Sequence, residues 1–554
     1  MKNQIYLMLF FSIISLESLS QTIPVKDYSE SVSRMNQILG VSSNLQSYTQ
    51  HPLNSELIGK NDSAFQKMIA SSNLFPNIHF FGKQLILKIS PFTLLNDYNS
   101  KLPFGYNIGS LYPNVGYQTF VTGGFYLKLG ILNFQFKPEL VKAQNKAFNT
   151  FLDINRNINS NLITNYFHFI NGIDAPERFG SNSLNYIGFG QSKITTVYKG
   201  LELGISTENL WWGPGVYNSI MMSNSAPGFF HWTFNSAKPL ITFLGTFEWQ
   251  LIGGKLKQSG YLPYSPVNIS NNVDLYKPKP SLNRYLSAFT FNWHPRWIDG
   301  FFIGISGYDY LNIDSLYHKD NLIRRIIPVF KPSSIQQNSL KVGGDGQDFA
   351  YSINIRQLFP KYKSEIYFEY ARNDAAATIT DFILQPEHAT AYTLGTTRYF
   401  DISKDQFIKV NFELTHLQIP DTFLLRDEPS WYVHSGYAPQ DGYTNQGRYV
   451  GAGIGPGSNS LIFDISYLYK INSYGLKFER LVHNNDLYYF AYANTSGNSN
   501  AEWVDLSSTI YTNIKLRDFL ISAEFAPIVT YNYDYMRSNL KNNHARISFT
   551  YYFY

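Results

Sequence analysis

The sequence predicts an all-β fold, a transmembrane antiparallel β-barrel, and the spacing of its strand-like segments permits ~14–18 strands. Three observations predict it. Apolar and polar residues alternate, segment after segment, over most of the 554 residues, as they do where one strand face meets lipid and the other water. Tyr 42 and Phe 43 lift the aromatic share to 17 % while charged residues reach only 15 %, against roughly 25 % in average soluble domains. The chain closes on ARISFTYYFY, with Ile547, Phe549, Tyr551 and Phe553 on one face and Arg546, Ser548, Thr550 and Tyr552 on the other. A bare aromatic edge of that kind is a liability in water, whereas a barrel pairs it with the first strand.

The elements follow in order. Residues 1–20 read as a signal peptide, with Lys2 before an apolar core from Ile5 to Ile14 and Ser18 and Ser20 ahead of the cut. Its removal deletes Lys2 and Glu17 and leaves the net charge at +5, too small for so long a chain to imply nucleic-acid binding. Residues 21–75 read as a periplasmic helical element packed under the barrel. Asp27 to Gly40 places Tyr28, Val32, Met35, Ile38 and Leu39 at helical spacing, and Ser63 to Ser71 is a second short candidate.

The barrel is expected over 76–554. Strand patterning starts at Ile78 to Ile89, and a loop is expected from Ser90 to Gln118. Tyr117 to Gly124 and Phe125 to Lys137 read as hairpin arms joined at Gly123–Gly124, and Asn155 to Asn165 reads as a solvated connection. From Asn185 onward arms recur, among them Leu201 to Ser206, Phe301 to Tyr310, Glu365 to Arg372, Leu487 to Ala493 and Phe519 to Tyr531. Short turns such as Asn472–Ser473 alternate with long connections such as Ile419 to Ser458, the asymmetry of a barrel with short inner turns and long outer loops.

Several chemistries are excluded. Cys 0 removes disulfides, thiol nucleophiles and zinc–thiolate sites. No uncharged apolar run of about 18 residues follows the signal, so helical spans are not expected. His168, His231 and His294 lack an accompanying serine motif, and GAGIGPG at Gly451 to Gly457 lacks the Lys-Ser/Thr of a P-loop. A non-enzymatic protein without cofactor or metal is expected.

The binding candidates centre on the stretch Leu201 to Leu256, whose strand-like ends flank an aromatic, Gly/Pro-interrupted middle. Trp211 and Trp212, before Gly213-Pro214-Gly215, offer faces that stack on sugar rings and equally suit a packed bend inside a barrel. Asn224, Ser225, His231, Trp232 and Asn235 add hydrogen-bonding and aromatic groups for a hydroxyl-rich ligand or a solvated loop. Asp174, Glu177 and Arg178 in NGIDAPERFG suit either a salt-bridged lumen or a polymer carrying charged sugars. Glu202, Glu208 and Glu248 flank the stretch on an unassigned face.

At ENLWWGPGVYNSIMMSNSAPGFFHWTFN (Glu208 to Asn235) and KPLITFLGTFEWQLIGGKL (Lys238 to Leu256) the sequence resembles the Wzi-like capsule assembly family, in its Bacteroidetes-type members. Supporting matches are NSKLPFGYNIGSLYPNVGYQ, KPELVKAQN, APERFG and GYTNQGRYVGAGIGPGSN, with Ala452 where the family often has histidine. The resemblance implies an outer-membrane barrel of about 18 strands over a small periplasmic helical bundle. It further implies a lectin-like protein that retains capsular or extracellular polysaccharide at the cell surface.

Expected partners are therefore that polysaccharide, outer-membrane lipid and lipopolysaccharide, and an envelope protein if the chain works in a complex. A porin or solute channel, and a scaffold subunit of an envelope secretion complex, are the alternative functions.

Overall fold

The computed structural model describes residues 21–42, 45–55, 78–80, 82–151, 153, 160–262, 268–269, 273–280, 283–316, 347–373, 379–420, 430–433, 440–493 and 500–553. The expected signal peptide, the helical candidate Ser63 to Ser71 and the terminal Tyr554 lie outside them.

The wall is a closed antiparallel barrel of 18 staves. The first are β1 (Lys83–Asn99), β2 (Gly116–Leu129), β3 (Leu132–Phe136 with Glu139–Ala143) and β4 (Leu184–Gly188 with Lys193–Tyr198). Next come β5 (Leu201–Ser206), β6 (His231–Ser236 with Leu240–Thr242), β7 (Gly245–Leu256), β8 (Arg284–Pro295) and β9 (Phe301–Asn312). They continue as β10 (Gln347–Phe359), β11 (Ser364–Arg372), β12 (Thr390–Ser403), β13 (Gln406–His416) and β14 (Asn459–Tyr469). The last are β15 (Asn472–Val482), β16 (Val504–Leu516), β17 (Phe519–Tyr531) and β18 (Leu540–Tyr551).

The last stave closes on the first, with Phe549 opposite Leu94 and His544 opposite Asn99, so the aromatic edge is paired. The alternation resolves into two faces. Leu203, Ile353, Ile366, Phe463, Phe478, Ile547 and Phe549 point outward and are exposed, while Asn354, Arg356, Glu365, Glu413 and Asp464 point inward and are buried. An apolar exterior around a polar interior is the arrangement of a barrel embedded in lipid. Tyr552, on the minority face of the terminal strand, turns inward at the mouth, where Lys515 Nζ lies 4.0 Å from its ring.

One end of the barrel carries only short turns. Between β4 and β5, Lys199 (φ 51) and Gly200 (φ 85) both take the left-handed region, as the tight turns that suit strand twist require. The opposite end carries the long loops. Helix α1 (Tyr28–Ile38) stands inside the short-turn mouth. Asp27 caps it by accepting Ser29 N–H at 2.9 Å, and Gly40 (φ 71) turns the chain away. Its apolar stripe, Val32, Met35 and Ile38, packs with Ile23, Tyr48 and Leu53 against the wall residues Phe302, Leu358, Tyr399 and Leu468. Each large apolar side chain fully buried there contributes ~1.5–3 kcal/mol. Arg34 ion-pairs with Glu365 at 2.9 Å, and Tyr28 Oη donates to Ile471 O at 2.6 Å. The helix is therefore part of the lumen, and not an element packed beneath it.

Other expectations are corrected. β1 runs on through Pro91 by a bulge between Ser90 and Thr93, so Ser90 to Asn99 is strand and not loop. β2 passes through Gly123–Gly124 and turns only at Gly130. The predicted solvated connection overlaps helix α2 (Ser160–Ile170), and Leu487–Ala493 is helical where a strand is expected. The first part of β6, His231–Ser236, lies inside what reads as loop: its period-2 pattern is short and flanked by Gly and Pro.

Candidate functional site

Segment 207–230, between β5 and β6, crosses the lumen as a septum. Trp211–Trp212 pairs antiparallel with Gln50–His51 of the N-terminal segment. Gly213 (φ 148) then makes a bend that no side chain would fit, since an added Cβ would lie 2.7 Å from Ser219 Oγ and 2.8 Å from Glu369 Oε2. Beyond it the tip reaches the far wall. Val216, Tyr217 and Asn218 point consecutive backbone N–H groups at the Glu413 carboxylate, the first and last at 2.6 and 2.7 Å, a concave anion nest built from main chain. Tyr217 Oη donates to Asp464 at 2.7 Å.

The long loop between β13 and β14 presses on the septum from the other side. Tyr432 Oη donates to Ile220 O at 2.8 Å and accepts Ala452 N–H at 2.9 Å. Tyr443 Oη donates to Met221 O at 3.0 Å and its ring stacks on Tyr308 at 3.8 Å. The glycines of GAGIGPG serve this packing: a Cβ on Gly451 would lie 2.5 Å from Ile220 O and from the Tyr432 ring. Burial lowers the Arg448 guanidinium to about 10, and its Nη1 donates to Gly109 O at 2.8 Å, tying this loop to the one between β1 and β2.

Above the septum, among the long loops, lies a cavity of about 330 Å³. Its walls include Phe104, Phe151, Tyr166, Tyr449, Trp503 and Tyr533, with Glu177, His483, Asp505 and Asp534 between the rings. Phe151 and Tyr166 stack at 3.8 Å, His483 and Trp503 at 4.0 Å, and Trp503 meets Tyr533 edge-on at 5.0 Å. Glu177 accepts the N–H of Phe151 at 2.9 Å. Burial and the neighbouring charge of Asp153 push its carboxyl up, and burial beside Glu177 pushes Asp534 well up. Flat apolar faces alternating with carboxyl and imidazole groups suit rings that are apolar on their faces and hydroxylated on their rims.

The sequence-predicted residues scatter over the molecule. Trp211 and Trp212 are only 2 % and 0 % exposed. Trp212 Nε1 donates to Gln250 at 3.0 Å, and Lys26 Nζ sits 3.7 Å over the Trp211 ring. They are the packed bend and give no outer platform for a sugar. Trp232 is on the outer face of β6, bonded to Tyr285 Oη at 3.0 Å. His231 is buried and bonded to Phe229 O at 2.8 Å, and Asn235 donates to Glu202 at 3.1 Å. Asn224 donates to Asn107 O at 3.3 Å, fixing one loop to another.

Asp174 accepts from Ser259 N and Oγ, both at 2.6 Å, and Arg178 donates to Asn145 O at 2.9 Å; both are loop braces. Among these candidates Glu177 and Ser225 line the loop-side cavity, while Trp211 lines a separate one below the septum. Glu202, Glu208 and Glu248 all face the lumen. Glu248 accepts Ser47 N–H at 2.7 Å and Glu208 accepts from Gln135 at 3.2 Å. The sequence reading missed Phe151, Tyr166, Tyr533 and Trp503. Their one signal is aromatic residues in or beside long connections, which occurs at many other places.

No protein-family model matches the chain, and no curated protein does. Among solved structures it is similar to Wzi, described as an outer membrane protein involved in group 1 capsule assembly in Escherichia coli and a carbohydrate-binding β-barrel. The identity is 11 %, the TM-score 0.59, and the match covers 95 % of this chain and 98 % of that one. It is also similar to Acinetobacter baumannii OccAB1, at 7 % identity and TM-score 0.40 over 87 % of this chain and 98 % of that one. The outer membrane protein OprD of Pseudomonas aeruginosa matches at 9 % identity and TM-score 0.37, over 84 % and 92 %. At these identities the likeness is one of fold, and it agrees with the geometry: a closed 18-strand antiparallel β-barrel of the outer-membrane kind.

Proposed function

We propose that the protein is a non-enzymatic outer-membrane barrel that binds capsular or extracellular polysaccharide through its long loops, which face outside the cell. The reading rests on the aromatic cavity of about 330 Å³ among those loops, which the half-buried rings of Phe104, Tyr449 and Trp503 line beside Glu177 and Asp505. The likeness in fold to a barrel described as carbohydrate-binding supports it. So does the septum, because a lumen crossed by packed tryptophans and a carboxylate-held loop suits binding better than steady passage.

Individual ring contacts are weak, and a repeating polymer multiplies them by engaging several copies or subsites at once. The test is calorimetric titration of the detergent-purified protein with surface polysaccharide from its own cells, beside the Trp503→Ala variant. Saturable binding weakened by the variant is the expected result. Absence of binding to the wild-type protein overturns the reading.

A further inference from the structure

Below the septum, toward the short turns, the lumen holds a second cavity of about 430 Å³. Most of its charged wall groups come in pairs of opposite sign: Lys409 with Asp464 at 2.7 Å, Arg546 with Glu524 at 3.2 Å and Lys477 with Glu479 at 3.5 Å, while Arg34 is held by Glu365 at 2.9 Å and Lys26 Nζ lies over the Trp211 ring. Among the described residues, three consecutive ones, Phe104, Gly105 and Tyr106, line both this cavity and the loop-side one. They form a strap in the loop between β1 and β2, and little but that strap parts the two spaces.

The strap is tied through main chain as well as side chains: Asn99 Nδ2 donates to Phe104 O at 3.5 Å, Asn107 N to Ser225 Oγ at 3.3 Å, and Asn224 Nδ2 to Asn107 O at 3.3 Å. Tyr106 Oη donates to Glu479 at 2.6 Å on the β15 wall. On the septum side Asn107 Nδ2 donates to Tyr217 O at 2.6 Å, and Ser225 Oγ donates to Asn107 Oδ1 at 2.9 Å. Just before the anchors Gly105 (φ 100) supplies a backbone conformation that an ordinary residue resists. The Phe104 ring lies 5.3 Å from His544.

We propose that this strap is a gate, and that its release from Glu479 joins the two cavities into a passage beside the septum for small, uncharged, hydroxyl-rich solutes. The solute class follows from the walls. Paired charges present donors and acceptors to hydroxyl groups with little net field, whereas an ion entering must compete with a partner already at bonding distance. The aromatic rings above offer faces to the same kind of molecule. This inference stands apart from the polysaccharide reading, since the strap would gate the lumen whichever polymer the loops bind.

The test uses the full chain in planar bilayers with potassium chloride, and in liposomes whose swelling reports entry of the neutral pentose arabinose. The wild-type protein is expected to stay closed with rare openings. Tyr106→Phe with Asn107→Ala removes the side-chain anchors, leaving the main-chain bonds at position 107, and should raise the open fraction about tenfold or more, as loss of a hydrogen bond to a charged acceptor allows. Arabinose entry should rise with it, and entry of the anionic sugar glucuronate should lag. Phe104→Gly, which thins the strap without touching an anchor, gives a second reading if the double variant fails to fold. Variants that fold, judged by heat-modifiable migration, and stay as silent and impermeant as wild type overturn the proposal. So does a wild-type protein already as open as its variants.

Discussion

Glu413, on β13, accepts the backbone N–H of Asn218 at 2.7 Å, from a loop that leaves the wall at β5 on the far side of the barrel. The same carboxylate takes the N–H groups of Val216 and Tyr217 and the hydroxyl of Tyr367 at 2.9 Å. One buried side chain thus fixes the tip of the septum and so decides the shape of the space on either side of it.

Glu413→Leu should free that tip while leaving the barrel closed. Each hydrogen bond to a charged acceptor contributes ~1.5–3 kcal/mol, and the donors left behind in the lumen add a desolvation cost. Limited proteolysis in detergent should cut segment 207–230 in the variant and spare it in wild type, with heat-modifiable migration unchanged. An uncut septum in the variant counts against the nest as its main anchor.

Two tryptophans should behave oppositely. Trp503→Ala removes a ring from the loop-side cavity and should cost ~0.5–1.5 kcal/mol of polysaccharide affinity beyond the lost contact area, with little effect on the barrel. Trp212→Ala empties a fully buried site and should destabilise the septum by ~3–5 kcal/mol. Isothermal titration reads the first effect and protease resistance of segment 207–230 the second.

Acidity should tune the loop-side cavity. Glu177 is pushed up by burial and Asp153, and Asp534 by burial and Glu177. The native state holds these protons more tightly than the unfolded chain does. The stabilisation is therefore fully present below the ordinary carboxylate range and is lost as pH rises through the raised folded values. Protonation also removes negative charge from the cavity wall. Binding of a uronic-acid polymer should accordingly tighten as pH falls through the raised values, and Glu177→Gln should flatten that dependence in a pH series of titrations.

Helix α1 should depend on its ion pair. Arg34 and Arg356 both hold Glu365, at 2.9 and 2.7 Å. Arg34→Ala leaves a buried carboxylate with one cation fewer, and breaking a buried pair costs ~3–5 kcal/mol. Protease accessibility of segment 27–40 should rise in Arg34→Ala, and much less in Arg34→Met with Glu365→Gln, where the buried charge is gone as well.

Much of the wall was legible in the chain because a lipid-facing strand leaves a period-2 trace. β5 and β17 match the sequence reading end to end, and β9 and β11 come within a residue or two. The trace failed where both faces of a strand were unusual. β1 past Pro91 pairs polar lumen residues such as Asp97 and Asn99 with a bulge, and β6 is short and set among glycine and proline. Leu487–Ala493 misled in the other direction, since a short apolar run that packs under loops has the same composition as a strand. Of the residues proposed for binding, Glu177 and Ser225 reached the loop-side cavity and the others did not, because burial depends on which segments meet in space.

Sequence alone determined that the chain alternates in strands, exports an aromatic exterior and ends on an edge that needs a partner, because each of these is a local consequence of side-chain order. Only the tertiary structure decided that WWGPG folds inward and that the turn after it is held, at Asn218, by a carboxylate 195 residues away. It alone placed α1 inside the mouth and gathered Phe151, Tyr166 and Trp503 around one cavity. The reason is physical: a pattern of period two says which face of a strand seeks lipid, and nothing about which distant loop will fill the space that closure encloses.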